Sequence, residues 1–397
     1  VGVLFNFFAI GPGALQSAAR GVNDFRQLYT AGLLSGKQGM YEPERAMRAQ
    51  ERLPGPANPR MVVVRPPFYA LLLKPLTWLP YPVALRCWLA LQLICICGFV
   101  ISLPGTSRLL AAVLCSWSYP LLFALAIGQD LPLFLFALGL SARLYRAGRI
   151  FPAGLALSLC LIKFHFLFLL PLFVLGRKEW RLARGFLTGC AIALALSVAA
   201  AGWAFPADYL AALNGPNVNP TPGVMPNLNG LRTVLDAPLW TEVVGALAVM
   251  LTVWSTIRSS GAIQSFAGTT AGGLLLSHHA YVQDCSILIP AMLGVLIVGC
   301  GRFTRTIAFL LLSPFVYIPF EQGWYRSLPA VLCLLFVLAL AFEAPFVRRL
   351  IRGQATRCRD SVRQWMRLRR DGISEFRGLS HALGCPASSQ RCPGTNP

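Results

Sequence analysis

Apolar residues in this chain are gathered into long runs separated by short polar or proline-rich segments. The runs fall near residues 83–102, 109–127, 131–142, 150–162, 164–175, 185–203, 238–256, 265–277, 285–300, 305–319 and 327–346. An α-helix needs about 20 apolar residues to cross a bilayer, so some runs are full spans and others are too short. The pattern predicts an all-α fold: a polytopic integral membrane helix bundle of about 10–12 membrane segments, short broken helices among them, with a long outer first loop.

Three polar or proline-rich stretches qualify that picture. VGVLFNFFAIGPGALQ at the start is too short to span and reads as the remnant of a first helix. Behind it, Asp24 and Gln27 are spaced as a capping box for a helix running through Leu34 and ending near Gly36. RPPFYALLLKPLTWLPYP, residues 65–82, carries prolines that forbid a continuous span. With Trp78 and Tyr81 it reads as a helix lying in the membrane interface, a ledge for a lipid substrate.

Basic residues set the orientation, because cytoplasmic loops keep an excess of Lys and Arg. The tail VRRLIRGQATRCRDSVRQWMRLRR, after Phe346, is the strongest such signal and is read as cytoplasmic. Counting back places GRFTR (301–305), TIRSSG (256–261), GRKEWRLAR (176–184) and RLYRAGR (143–149) on the same side. The last two share a side only if residues 150–175 enter and return, as two half-length helices broken around Lys163, Phe164 and His165. The outer side then holds the loop from Asn23 to about Tyr81, the GQD turn at 128–130, the loop around 203–236, SHHAYVQD at 277–284 and FEQGWYR at 320–326. Basic residues in the first loop run against the rule, and Asp24, Glu42, Glu44 and Glu51 offset them only in part. The expected organisation is one membrane domain over residues 1–346, containing the outer loop 23–81, and a partly disordered Arg-rich cytoplasmic tail over 347–397.

Composition narrows the class. Hydrophobic residues make up 56% of the chain and charged ones 13%, against about 25% charged in soluble proteins. The net charge of +20 sits between apolar runs and in the tail, where anionic lipid head groups account for it and nucleic acid is not required. The 12 cysteines follow no framework spacing and read as small buried hydrophobes, and His381, Cys385 and Cys392 are too loosely spaced for a metal site. No P-loop or G-x-S-x-G pattern is present, so nothing argues for nucleotide hydrolysis or acyl transfer.

Polar groups in such surroundings are the candidates for chemistry. Asp24, held at a helix N-terminus, is oriented to accept a proton from a substrate hydroxyl. Lys163 and His165 lie in SLCLIKFHFLFLLP, where an ionisable residue marks function by default and a cation suits a phosphate. His278, His279 and Asp284 lack a third well-spaced ligand and read as a hydrogen-bond network in place of a metal pair. Gln129, Asp130, Asn227, Asn229, Arg232, Glu321 and Arg326 complete the outer set. A transporter or lipid flippase would also use broken helices and intramembrane charge, but the two halves show no internal repeat and the first loop has no transport role. A purely structural subunit would not need Asp24, Lys163, His278 and Asp284 on one side.

The order of short motifs then matters more than any one of them. Asp24-Phe25 with Tyr29, Ala31-Gly32 and a Gly36 or Lys37 to Tyr41 spacing precedes Arg65-Pro66-Pro67-Phe68, Pro75-Leu76 and Leu79-Pro80. Gly128-Gln129, Ala153-Gly154 leading to Lys163, Asn227 to Arg232, and His278 to Asp284 follow. Over roughly residues 20–345 this succession resembles glycosyltransferase family 87, integral-membrane enzymes of the GT-C superfamily that includes polyprenyl-phosphate-mannose-dependent mannosyltransferases of glycolipid synthesis. Two departures stand out: Phe164 replaces the usual proline after the broken-helix lysine, and the first helix looks clipped.

The resemblance implies a GT-C type bundle in the plasma membrane, with its active site on the outer face, that moves a hexose from a polyprenyl-phosphate donor to a lipid or glycan hydroxyl with inversion. The first-loop aspartate, here Asp24, is the implied base, and Lys163, with Arg232 or His279, would steady the lipid phosphate. Phe25, Tyr29 and Tyr41 would wall the sugar site, with Arg65, Gln129, His165, Asn229, His278 and Asp284 as further substrate contacts. No cofactor is implied: the first loop lacks the paired acidic motif that would indicate a divalent cation, and no metal ligands are assigned.

Overall fold

The computed structural model describes residues 23–58, 62–215, 218, 221–298, 300–317 and 327–343, with a few positions before residue 23. The chain divides into two compact units, residues 1–346 and 347–397. The Arg-rich tail with His381, Cys385 and Cys392, the N-terminal remnant, and FEQGWYR with Glu321 and Arg326 lie outside the described residues.

Among the described residues every regular element is helical. The order is α1 (Phe25–Leu34), α2 (Pro43–Gln50), α3 (Pro67–Leu73), α4 (Tyr81–Ser102), α5 (Gly105–Trp117), α6 (Tyr119–Ile127), α7 (Leu131–Arg146), α8 (Ile150–Leu157), α9 (Leu170–Arg177), α10 (Trp180–Ala201), α11 (Phe205–Leu213), α12 (Leu228–Val234), α13 (Leu239–Ser259), α14 (Ala262–Leu276), α15 (Ile289–Val298) and α16 (Arg302–Leu312). A last apolar helix covers Leu328–Glu343.

Among the described residues four helical stretches are long and apolar enough to cross a membrane: α4, Ile150–Leu167, α10 and α13. The run predicted at 109–127 is not one straight helix. It is bent by 63° between Trp117 and Tyr119, and counts as a fifth span only as a broken pair. The cause is local: Pro120 sits in the first turn of α6, and the Ser118 hydroxyl accepts from the Leu121 amide at 3.4 Å, which closes one helix and opens the next. The long helices put side chains such as Ile94, Leu187 and Leu251 on the outside, as a lipid-facing surface requires. The proline-rich stretch after Arg65 is broken as expected, into α3 and a 3₁₀ turn over Lys74–Trp78, with Leu72 and Trp78 exposed.

Hydrogen bonds between distant segments sort the chain into two ends. At one end the Asp24 amide donates to the Ile127 carbonyl at 2.9 Å, Gly36 N to Ala200 O at 2.9 Å, and Asn227 Nδ2 to Ser277 O at 2.6 Å. At the other, Arg146 Nη2 donates to Ser102 O at 2.9 Å, Tyr145 OH to Glu179, Arg177 Nη1 to Ser260 O at 3.0 Å, and Gly301 N to Glu343 at 2.7 Å. The four basic segments read as sharing a side do share this second end.

The return of the chain between α8 and α9 follows from packing register. A side chain at Gly154 would strike the Leu182 carbonyl, one at Gly185 the Phe151 carbonyl, and one at Gly189 the Ser158 side chain. Gly185 facing Phe151 and Gly189 facing Ser158 advance together along both helices, so α8 and α10 run in parallel, at the close approach that paired glycines allow. Both begin at the same end, so residues 158–177 must come back to it. The tip of this hairpin is Lys163, whose φ of −136° and ψ of 61° interrupt the 3₁₀ segment Ser158–Leu167. A 3₁₀ helix rises about 2.0 Å per residue against 1.5 Å for an α-helix. The extra length carries Lys163 up to Asp130 at the N-terminus of α7.

Candidate active site

The loop that carries Asp24 is anchored by residues whose local sequence gives no hint of it. Phe25 is fully buried, its ring stacked on Trp88 at 5.7 Å and flanked by Tyr29 and Tyr81. Tyr81 OH donates to Asn23 Oδ1 at 2.8 Å, and Tyr29 OH to the Leu79 carbonyl at 2.8 Å. Arg26, also fully buried, donates to the carbonyls of Gln50 and Pro54, each at 2.6 Å, and pins the loop that follows α2. Phe25 and Tyr29 therefore support Asp24 from beneath.

Asp24 does not cap α1. It precedes Phe25 in helical backbone geometry and makes no side-chain cap bond, and Gln27 reaches away to donate to the Val62 carbonyl. Tertiary partners outcompete the local motif. Asp24 Oδ2 accepts from Gln129 Nε2 at 2.6 Å, and Gln129 Oε1 accepts in turn from Arg65 Nη2 at 3.0 Å. Oδ1 carries no hydrogen bond from the described residues. Asp24 is only partly exposed. Burial raises its pKa above that of an ordinary carboxyl; Gln129, Lys163 and Arg65 pull it down, and Asp130 pushes it further up.

Arg65 leads to a buried ion cluster. Its Nη2 and Nε lie 3.3 and 3.1 Å from the two oxygens of Asp130. Burial alone would lower the guanidinium pKa, but the Asp130 carboxylate, together with Tyr69, Asp284 and Tyr209, more than offsets this and raises it. Asp130 Oδ1 is 3.7 Å from Lys163 Nζ, and Lys163 Nζ donates to Asp284 Oδ1 at 2.6 Å. Asp284 Oδ2 accepts from the Tyr281 amide at 2.8 Å. Three carboxylates and two cations, from five separate segments, thus form one connected network. Two tyrosines hold the Arg65 backbone: Tyr41 OH donates to the Arg65 carbonyl at 2.9 Å and Tyr209 OH to the Val64 carbonyl at 3.3 Å, with their rings 5.3 Å apart.

The remaining expected residues fall into two groups. His165 and His279 sit beside the Lys163 tip, with ring centroids 6.1 Å apart. Burial lowers the His279 pKa to about 4, so its imidazole is neutral near pH 7. His278 is exposed. Asn229 and Arg232 form a separate cluster: Arg232 donates to Glu242 at 2.9 Å and to Asn229 Oδ1 at 3.1 Å. Asp284 binds Lys163 and the Tyr281 amide, and its carboxylate also acts electrostatically on His279. Among the described residues no group of three His, Cys, Asp or Glu side chains is placed to share a metal ion.

A cavity of about 430 Å³ lies between α7, the returning limb, α14 and α15. Phe134, Phe166 and Ile287 line it, and each follows a member of the ion cluster (Asp130, Lys163, Asp284) by about one helical turn. Its lining is almost wholly apolar, with Tyr145 and Arg146 at the far end.

Asp130, placed in the outer polar set by its sequence but not assigned as a substrate contact, is central to the cluster; Tyr209, which props Arg65, carries no local signal of it.

No curated protein and no solved structure matches the chain. The sequence model of glycosyltransferase family 87 matches residues 64–278, more than half of the chain, including Arg65, Gln129, Lys163, Asn229, Arg232 and His278. Asp24, His279 and Asp284 lie outside the matched stretch. An all-helical membrane bundle with this match across its centre, the chain belongs to glycosyltransferase family 87.

Proposed function

We propose that this glycosyltransferase moves a hexose, with mannose as the first candidate, from a polyprenyl-phosphate donor to a hydroxyl of a lipid or glycan acceptor, on the outer face of the plasma membrane and with inversion. The observation that carries the reading is the Asp24 carboxylate, with one oxygen fixed by Gln129 and the other carrying no hydrogen bond from the described residues, on a partly exposed residue. That is the arrangement a general base needs. As the acceptor oxygen attacks the anomeric carbon, its proton passes to Asp24 Oδ1, and the bond from that carbon to the phosphate oxygen breaks with its electron pair leaving on phosphate. Backside attack inverts the carbon.

A phosphate leaving group needs positive charge more than a proton. Lys163 and Arg65 are the nearby cations, and both are already paired. Donor binding is then an exchange of partners, in which the phosphate takes Lys163 from Asp284. The apolar cavity beneath the cluster supports a substrate with a long hydrocarbon chain, and the α3 ledge gives such a chain a lateral way in.

The test is transfer of labelled mannose from polyprenyl-phosphate-mannose into membrane lipids, comparing wild type with Asp24→Asn at matched expression. Loss of a general base costs roughly 10²- to 10⁴-fold. Full transfer by a correctly folded Asp24→Asn protein would show that Asp24 is not the base. Failure of wild type with a panel of lipid-linked donors would favour transport.

A further inference from the structure

We infer that Gln129 is the positioning residue of the Asp24 base: its amide selects which carboxylate oxygen faces the acceptor and ties the other to Arg65. The inference rests on the proposed role of Asp24. It replaces a substrate contact at Gln129 with a contact made to the base itself.

Three observations carry it. The first is that the amide has only one workable orientation. A guanidinium can only donate, so Gln129 must turn Oε1 to Arg65 and therefore Nε2 to Asp24. The second is that Asp24 and Gln129 are mounted on the same turn of backbone. The Asp24 amide donates to Ile127 O, and the Gln129 amide donates to Ala124 O at 2.8 Å, closing the C-terminus of α6 through Gly128 at φ +76°. No side chain fits at Gly128, where a Cβ would lie 2.9 Å from Phe25 Cβ. The third is that Gln129 is buried while Asp24 is partly exposed, so substrate meets the carboxylate and not the amide.

A fixed donor on Oδ2 favours the ionised form, in the same direction as Arg65 from the loop before α3 and Lys163 from the hairpin tip. Asp130 at the start of α7 acts against them. Asp284, His165 and His279 lie beyond Lys163, and Tyr81 faces the neighbouring Asn23.

Difference infrared spectroscopy of the full chain in lipid vesicles would follow the Asp24 carboxyl, assigned as the band missing from Asp24→Asn. In Gln129→Leu its titration midpoint should move to higher pH. In Gln129→Glu, which keeps the Arg65 contact but offers no donor when ionised, it should move further in the same direction. With polyprenyl-phosphate-mannose as donor, kcat should fall roughly 10- to 100-fold in Gln129→Leu, with the acid limb displaced upward and KM little changed. Gln129→Asn, a donor on a shorter stem, should recover part of the loss. If the Leu variant does not fold, the Glu variant carries the comparison. An unchanged midpoint together with a raised KM would overturn the inference and make Gln129 a substrate contact. A silent Gln129 series beside an inactive Asp24→Asn would sink the positioning role alone, whereas an active Asp24→Asn would sink the base reading on which it stands.

Discussion

Lys163 and Asp284, 121 residues apart in the chain, meet at 2.6 Å inside the helix bundle. Both are almost completely buried, and Asp130 approaches the same ammonium at 3.7 Å. The pair joins the tip of a returning hairpin to the turn after α14, so it is a tertiary fastening as well as a charge store.

Removing one partner of a buried pair leaves the other charge uncompensated, at a cost of about 3–5 kcal/mol. Lys163→Met should destabilise by that order in denaturant titrations of the detergent-solubilised protein. Adding Asp284→Asn should recover a substantial part of the loss, because the stranded carboxylate is then neutral. Independent, additive losses would mean the pair is not coupled.

The environment of Asp24 predicts the acid side of the pH profile. A base works ionised, so with Asp24 in its proposed role transfer should be present above the folded pKa of Asp24 and lost as pH falls through it. Because burial raises that pKa, the loss should set in at higher pH than for a solvent-exposed aspartate. Arg65→Gln removes a cation that favours the carboxylate and should move the limb up again. Measuring kcat between about pH 4 and 8 checks both directions.

The parallel packing of α8 on α10 depends on glycine at positions where no side chain fits. At Gly154 a Cβ would collide with the Leu182 carbonyl and lie 2.8 Å from the Phe186 nitrogen. Gly154→Leu should destabilise by about 1–3 kcal/mol or more through overpacking, and transfer should fall with it because the same limb carries Lys163. Gly245→Ala is the contrasting case: its Cβ would meet Leu228 at 3.6 Å, an ordinary contact, and thermal unfolding should be unchanged or slightly later.

Lys163 shows what a sequence makes legible. A cation in an apolar run, flanked by basic segments that must share a side, is enough to call for a break and a return, and the hairpin is there. Asp24 shows the opposite. Its spacing to Gln27 spells a capping box, yet both side chains turn to partners 105 and 35 residues away, because the Gln129 amide and the Val62 carbonyl offer better bonds than a local amide. The bend at Ser118 was hidden by the hydrophobicity around it, although Pro120 was its visible cause. The Arg65–Asp130 contact spans 65 residues, and no local pattern encodes it. Periodicity and composition describe segments; which polar groups meet is decided by the packing of those segments.

The main-chain bond from Asp24 to Ile127 ties the acid to the last residue of a helix that is itself only half of a bent span. Asp24, the proposed base, therefore rides on an element whose tilt answers to the thickness of the surrounding hydrocarbon. In vesicles of graded acyl length, turnover should peak at one thickness and decline on either side, making the bilayer a setting of the enzyme and not merely its container.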